Sequence, residues 1–468
     1  MPNQTQLFFT KSPQGVYPAY QKFVVSADAI ANLVYSGGSF IQAKNRKYLL
    51  EISINNTVVA ILKAPPNEFD RANFHLEKIF QDYLLTDTAP FHLEGSTSVE
   101  SIHKITGFRQ NMSTLIQVDL RVGEEYTLNN TFISSFRNAE AQSGTNAVSD
   151  KFFVFNGCRQ HNQGESATFV QNHKLNSSIG LFLSDAEHVQ TNLFSPEDAT
   201  TDAQIQKIRT NDYAVLGMFN RNHLNHFNNY TRAQISLYDS NNALIGNFTV
   251  NNGFEDTADA VGMTQRTGLV WFPVGMQNFR DMSITTETNL NNTVRYMITV
   301  ENDSNATKSK ALHYEVVDED CKGFETIRLA WVNSLGCWDY YNFDKRSTRT
   351  TQSRRTTYEA NFGMRQDSDS NGYDYLTSRG GKQVLSNQAT EIIEANTDFI
   401  DEGTATFLKN CFTSPQVHMQ VGTGSDAVFE PVIVTETEYL KQTSSNDKVI
   451  QYVITIEKSH KHIVQRQG

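Results

Sequence analysis

Cysteine is scarce: four in 468 residues, at Cys158, Cys321, Cys337 and Cys411. They are widely spaced and form no CxxC pair, which argues against a zinc cage or a small disulfide scaffold and leaves free buried thiols as the reading. No stretch approaches the roughly 18 consecutive apolar residues of a membrane-spanning helix, so no membrane partner is expected. Positive charge is in deficit, with 40 Lys and Arg against 51 Asp and Glu, a net charge of −11 and a pI near 5.6. Sequence-independent affinity for nucleic acid comes from excess Lys and Arg, so nucleic acid is not the expected main partner. The first residues lack the basic and apolar regions of a secretory signal, and a soluble chain made in a cytoplasm is the expectation. Asn-X-Ser/Thr triplets, as at Asn55, Asn111, Asn176, Asn247 and Asn305, then reflect Asn-rich loops. Neither GxSxG nor a Walker-type loop is present, and Gly37-Gly38 and Gly380-Gly381 read as turns. No catalytic constellation is visible, so no enzyme and no cofactor is expected.

What is present points to β structure. A chain of this length exceeds one ordinary core, and about 150 residues per domain suggests three domains. Only 38% of residues are hydrophobic and 19% charged, a balance that suits β-rich domains with polar loops. Alternating segments at 48–54 and 58–62 flank the turn-forming Asn55-Asn56. Phe74, Leu76, Ile79, Phe80, Tyr83 and Leu84 recur near helical spacing, which predicts one helix over 69–85. Short apolar segments at 114–122, 152–155, 214–219, 233–238, 243–250, 268–272 and 294–300 alternate with Asn/Asp/Gly loops, the spacing of β-sandwiches. Acids near the start and bases near the end of 196–209 predict a short surface helix. Toward the end, 402–412 keeps helical spacing until Ser414-Pro415 stops it, and strands follow at 416–421, 428–434 and 449–457.

The densest signal is 325–343, ETIRLAWVNSLGCWDYYNF. It reads as strand, tight turn and strand, and Trp331, Trp338, Tyr340 and Phe343 read as the core anchor of one domain. The following segment, 344–358, is basic on an acidic protein and lacks large aliphatics. It reads either as an edge strand or loop whose cations block unwanted pairing, or as an arm that docks on an acidic neighbouring subunit through Lys345, Arg346, Arg349, Arg354 and Arg355.

Four places offer ligand chemistry, each with a plainer reading. Asp367, Asp369 and Asn371 before Gly372 follow the spacing of a calcium loop, but Ser378 stands where the bidentate Glu belongs, so a polar hairpin loop outweighs calcium. His223 with His226, and His460 with His462, lack the further ligands zinc requires. Asp318-Glu319-Asp320 could supply paired carboxylates for glycoside cleavage, but consecutive acids at a strand end read first as a solvated turn.

The hairpin's order, apolar strand, Asn333, Leu335-Gly336, then Trp338-Asp339-Tyr340-Tyr341-Asn342-Phe343, resembles a pattern in virion structural proteins of tailed bacteriophages of the marine and crAss-like type. Lys63-Ala64-Pro65-Pro66-Asn67 followed by a helix is similar to their amino-terminal domain. The carboxy-terminal order is similar again: helix, Ser414-Pro415, a Pro431-Val432-Ile433-Val434 strand, Lys441-Gln442-Thr443, Asn446-Asp447-Lys448 and a last alternating strand. Cys337 departs from the pattern, where a second glycine is common. The resemblance implies a tail, baseplate or neck protein of the virion, assembled in the host cytoplasm, with copies of itself and other virion proteins as partners. The alternative is a receptor- or carbohydrate-binding tail protein that meets a host-surface glycan.

The expected fold is mainly β, as multidomain β-sandwiches of Ig-like or jelly-roll-like type with one or two packed helices per terminal domain. The expected division is a sandwich with its helix over 1–110, a central sandwich region over 111–310, the hairpin and basic arm closing it over 311–380, and an α+β domain over 381–468.

Overall fold

A computed structural model describes residues 7–11, 15–29, 33–36, 39–42, 44–84, 91–92, 99–111, 114–128, 130–137, 151–159, 180–186, 206–219, 230–252, 269–302, 304, 306–317, 323–360, 363–365, 373–375, 380–436 and 450–460. The chain is mainly β, with several separate sheets and short helices. It divides into two compact units: Met1–Val317 with Val332–Asp339, and Asp318–Trp331 with Tyr340–Gly468.

The first unit opens as a sandwich. One layer is an antiparallel sheet of Leu7–Lys11, Val24–Ala29 and Ala72–His75. The other runs Gly15–Tyr20, Lys151–Cys158, Leu115–Leu128, Lys44–Ile54 and Thr57–Ala64, with Thr131–Arg137 also paired to Leu115–Leu128. Alternation turns Leu50, Ile52, Val118, Leu120, Phe152 and Val154 onto one buried cluster with Val25 and Phe74 of the smaller sheet. Phe80, from the helix Glu77–Tyr83, closes that core edge-on to Phe23, with ring centroids 5.2 Å apart. The tight turn at Asn55 and Asn56 has positive φ at both residues, as the twist of a two-residue hairpin requires.

The rest of the unit holds a three-stranded sheet of Arg109–Asn111, Leu269–Pro273 and Val215–Phe219, and a five-stranded sheet of Gln206–Ile208, Leu312–Val316, Arg295–Asn302, Tyr230–Tyr238 and Leu244–Asn251. LVWFP and VLGMF are buried along their whole length, which is why they read as continuous apolar runs rather than alternating ones. The helices Met276–Met282 and Glu287–Asn291 follow them.

The second unit is built on one seven-stranded sheet, in the order Trp338–Phe343, Ile327–Val332, Val417–Val421, Val428–Val434, Val453–Lys458, Gly381–Asn396 and Thr348–Ala360. The helix Glu402–Thr413 starts where the Asp401 carboxylate accepts the Thr404 N–H at 2.6 Å. It lays Phe407 on Trp331, with centroids 5.1 Å apart, and buries Leu408 and Cys411 beside it.

The nine strand expectations between 48 and 300 each lie, to within one residue, inside an observed strand or at the edge of the described residues. Two helix expectations are corrected. Over 69–85 the helix is only Glu77–Tyr83, because Ala72–His75 forms a strand that buries Ala72 and Phe74 alternately and completes the smaller sheet. Over 196–209, Gln206–Ile208 is a strand parallel to Leu312–Val316, and 196–205 lie outside the described residues.

The expected divisions also shift. The boundary at 110 separates Lys44–Ile54 from its partner Leu115–Leu128. The one at 310 cuts Leu312–Val316 from its five-stranded sheet, and the one at 380 parts Thr348–Ala360 from Gly381–Asn396. Local patterning marks where strands are; which strands pair is decided by tertiary burial.

Candidate functional site

The aromatic hairpin is divided between the two units. Its base, up to Trp331 and again from Tyr340, belongs to the second unit, and its turn, Val332–Asp339, to the first. Trp331, Trp338, Tyr340 and Phe343 are all buried. In the second unit Arg328 lies 4.9 Å from the centroid of the Tyr340 ring and donates to Asn342 Oδ1 at 2.8 Å. In the first, Trp338 meets His103 edge-on, with centroids 4.6 Å apart.

The turn is held by polar groups that composition did not single out. Asn333 Oδ1 accepts the N–H groups of Leu335 and Cys337, each at 3.0 Å, and so fixes its own turn. Its amide donates to the Leu183 carbonyl and to Asp339 Oδ2, each at 3.0 Å. Asp339 also accepts from the Ser184 hydroxyl at 2.6 Å and from the Asp185 N–H at 2.9 Å. Asp185 in turn accepts from the backbone and hydroxyl of Ser334 at 3.0 and 2.6 Å. Burial, and next the Asp185 carboxylate, push the Asp339 carboxyl up to about 7, against the pull of its three donors. An acid among large aromatics, as in Trp338-Asp339-Tyr340, is a sequence signal for a buried carboxylate. Ser184 and Asp185 carry no such signal.

The basic segment is an edge strand. Thr348–Ala360 ends the seven-stranded sheet and pairs with Gly381–Asn396 from Thr348 opposite Glu394 to Ala360 opposite Gly381. Gly381–Asn396 pairs with Val453–Lys458 only at Ile392–Asn396. Beyond that point, among the described residues, the strand segments 351–360 and 381–391 pair only with each other. At about 3.3 Å per residue this two-stranded ribbon runs about 33 Å past the sheet. The short pair Gly363–Arg365 and Tyr373–Tyr375 follows between its two strands.

The five cations proposed for this segment separate into two groups. Arg349, at the base, donates to Glu325 and to Glu391, and Lys458 joins Glu391 to Glu430 at 3.4 and 3.5 Å. The Arg349 hydrogen bond holds the Glu391 carboxyl below its usual range. Lys345 lies 3.0 Å from Asp398 and 3.7 Å from Asp344. Arg346, Arg354 and Arg355 are exposed and form no ion pair among the described residues.

The other candidates are not assembled. Asp367, Asp369, Asn371, His223, His226, His462, Cys321 and 318–320 lie outside the described residues. Among the described residues no group of three or more His, Cys, Asp or Glu could hold a metal, and no helix is long and apolar enough to cross a membrane. Cys337 and Cys411 are the buried free thiols expected, whereas Cys158 is free but exposed.

No family model and no curated protein matches the chain. Among solved structures, the crystal structure of invasin, a bacterial integrin-binding protein, aligns over 83% of this chain and 57% of its own, at 8% identity and a TM-score of 0.21. A likeness that low carries no argument about architecture or function.

Proposed function

We propose that this chain is a structural protein of a tailed-bacteriophage particle, part of the tail, baseplate or neck, working through subunit contacts and with the 348–396 ribbon as its gripping element. One observation carries the assembly part: a ribbon about 33 Å long, exposed from Thr348 to Glu359 on one strand and half-buried or exposed on the other except at the buried Ala389, extends past its sheet. A two-stranded hairpin is marginal in water and gains stability by packing on something else. The placement in a phage particle rests on the resemblance of the hairpin and the carboxy-terminal segment.

The test replaces Arg354 and Arg355 with Glu and measures incorporation into purified particles. Arg349 is left intact because it belongs to the chain's own ion-pair network. The expected result is a folded chain absent from particles. Normal incorporation would count against the ribbon as the gripping element. Binding of the isolated chain to a glycan array would instead favour the receptor-binding alternative.

A further inference from the structure

The two faces of the ribbon differ. Side chains alternate along each strand, so residues opposite one another share a face. Thr350 with Ile392, Gln352 with Thr390, Arg354 with Gln388, Thr356 with Ser386 and Tyr358 with Gln383 make one face. Across these five pairs there is no carboxylate, in a chain with 51 acidic residues. The other face carries Arg355 and, at its two ends, Glu391 and Glu359. Near the far end Tyr358, Val384 and Leu385 are exposed at 44%, 37% and 48%. The first face is thus free of carboxylates and rich in amide and hydroxyl groups, with Arg354 near its middle and the exposed Tyr358 near its far end.

The same unit carries a surface of opposite character. Phe399 is 66% exposed. Asp398 precedes it, and Asp401 and Glu402 follow at the start of the helix Glu402–Thr413. Burial, and then the charges of Asp344, Asp398 and Asp401, hold the proton on the Tyr341 hydroxyl. Lys345 Nζ lies 3.0 Å from Asp398 and 3.7 Å from Asp344, which brings these two carboxylates together.

We propose that the far part of the ribbon docks, by the face that holds Arg354 and Tyr358, on the Phe399, Asp401 and Glu402 surface of a second copy of this chain, Arg354 facing the carboxylates and Tyr358 covering Phe399. This deepens the assembly reading above and rests on it. A second copy is favoured over another partner by charge. The segment 344–358 holds five cations and one acid, net +4, so the remainder of the chain carries −11 − 4 = −15. Arm and receiving surface are different patches on one molecule, so the contact is head-to-tail and repeats into a ring or an open array. Paired charges steer the encounter and fix its orientation, while the apolar contact at the centre slows release.

The experiment is sedimentation velocity of the full chain at low and high ionic strength, with three proteins: wild type, the double variant Arg354→Glu with Arg355→Glu, and Glu402→Arg. Asp401 is left alone because it caps its helix. Wild type is expected to associate, and less so at high salt. Each variant alone is expected to associate at least about 10-fold more weakly, a loss of about 1.4 kcal/mol. Mixing the two variants restores association, since the acidic arm of one then meets the basic surface of the other. A Phe399→Ala chain, with no charge altered, weakens association without changing its salt dependence. Wild type that stays monomeric at every ionic strength overturns the inference, and so does a Glu402→Arg chain that associates normally. If monomeric wild type still enters particles only with Arg354 and Arg355 intact, self-docking fails while the assembly role stands.

Discussion

Single residues at the hairpin turn show how narrow its tolerances are. Gly336 has φ +75°, and a Cβ there would run into the carbonyl oxygen of Asn156. Both reasons act together, so Gly336→Ala is expected to destabilise the first unit by at least about 2 kcal/mol in urea unfolding. Cys337 explains its own departure from the phage-type pattern. Its thiol occupies the space that a side chain at position 217 would need, and Gly217 leaves that space open. Gly217→Ala alone is expected to cost about 1–3 kcal/mol by overpacking. In combination with Cys337→Gly the penalty shrinks, and a double-mutant cycle with zero coupling would contradict this packing account.

Asp339 adds a pH dependence at the same turn. Its folded pKa, near 7, lies above its ordinary value, so its protonated form is the one the fold prefers. The stability it contributes is complete below about pH 4 and is lost as pH rises through 7. His418, on Val417–Val421 of the second unit, works in the opposite sense: burial lowers it to about 4, so its neutral form is preferred and stability falls as pH drops from about 6.5 toward 4. Hydrogen exchange compared at pH 5 and pH 7.5 is therefore expected to show the 333–339 turn better protected at the lower pH and Val417–Val421 less so, once intrinsic exchange rates are divided out. Asp339→Asn removes the first effect and leaves the second.

At the scale of elements, periodicity located strands well because alternation and all-apolar runs both follow from burial. It failed at 69–85, where Phe74 and Phe80 fit a helical spacing while Ala72 and Phe74 also fit a strand. Six-residue apolar patterns support both, and the open edge at Val24–Ala29 decided it. The basic segment was legible as an edge strand or an arm, and its pairing shows a strand that ends a sheet and then leaves it. What sequence could not separate was the role of each cation. Arg349 is tied to Glu325 and Glu391, which lie 24 and 42 residues away in the chain. Its replacement by Ala is expected to lower the stability of the second unit by about 1 kcal/mol, since the pairs are partly exposed. Replacing Arg354 or Arg355 changes stability by less than about 0.5 kcal/mol, as exposed positions without partners do. Thermal melts of the three variants measure this difference directly.

At the scale of the whole molecule, the expected mainly β architecture is present, while its divisions follow strand pairing rather than chain order. The six-stranded sheet draws on segments as far apart as Gly15–Tyr20 and Lys151–Cys158, which pair in parallel. The chain passes between its two units after Val317, Trp331 and Asp339. The crossings at Trp331–Val332 and Asp339–Tyr340 leave no mark in composition, because all four residues are buried.

The central claim is that the ribbon is completed by a neighbouring subunit, and hydrogen exchange on free and assembled protein tests it most directly. In the free chain, 351–360 and 381–391 are expected to exchange far faster than Ile392–Asn396, which a third strand covers. On assembly their protection should rise toward that of the sheet, together with protection around Phe399 if the neighbour is a second copy. Ribbon amides that exchange equally fast in both states would contradict the account.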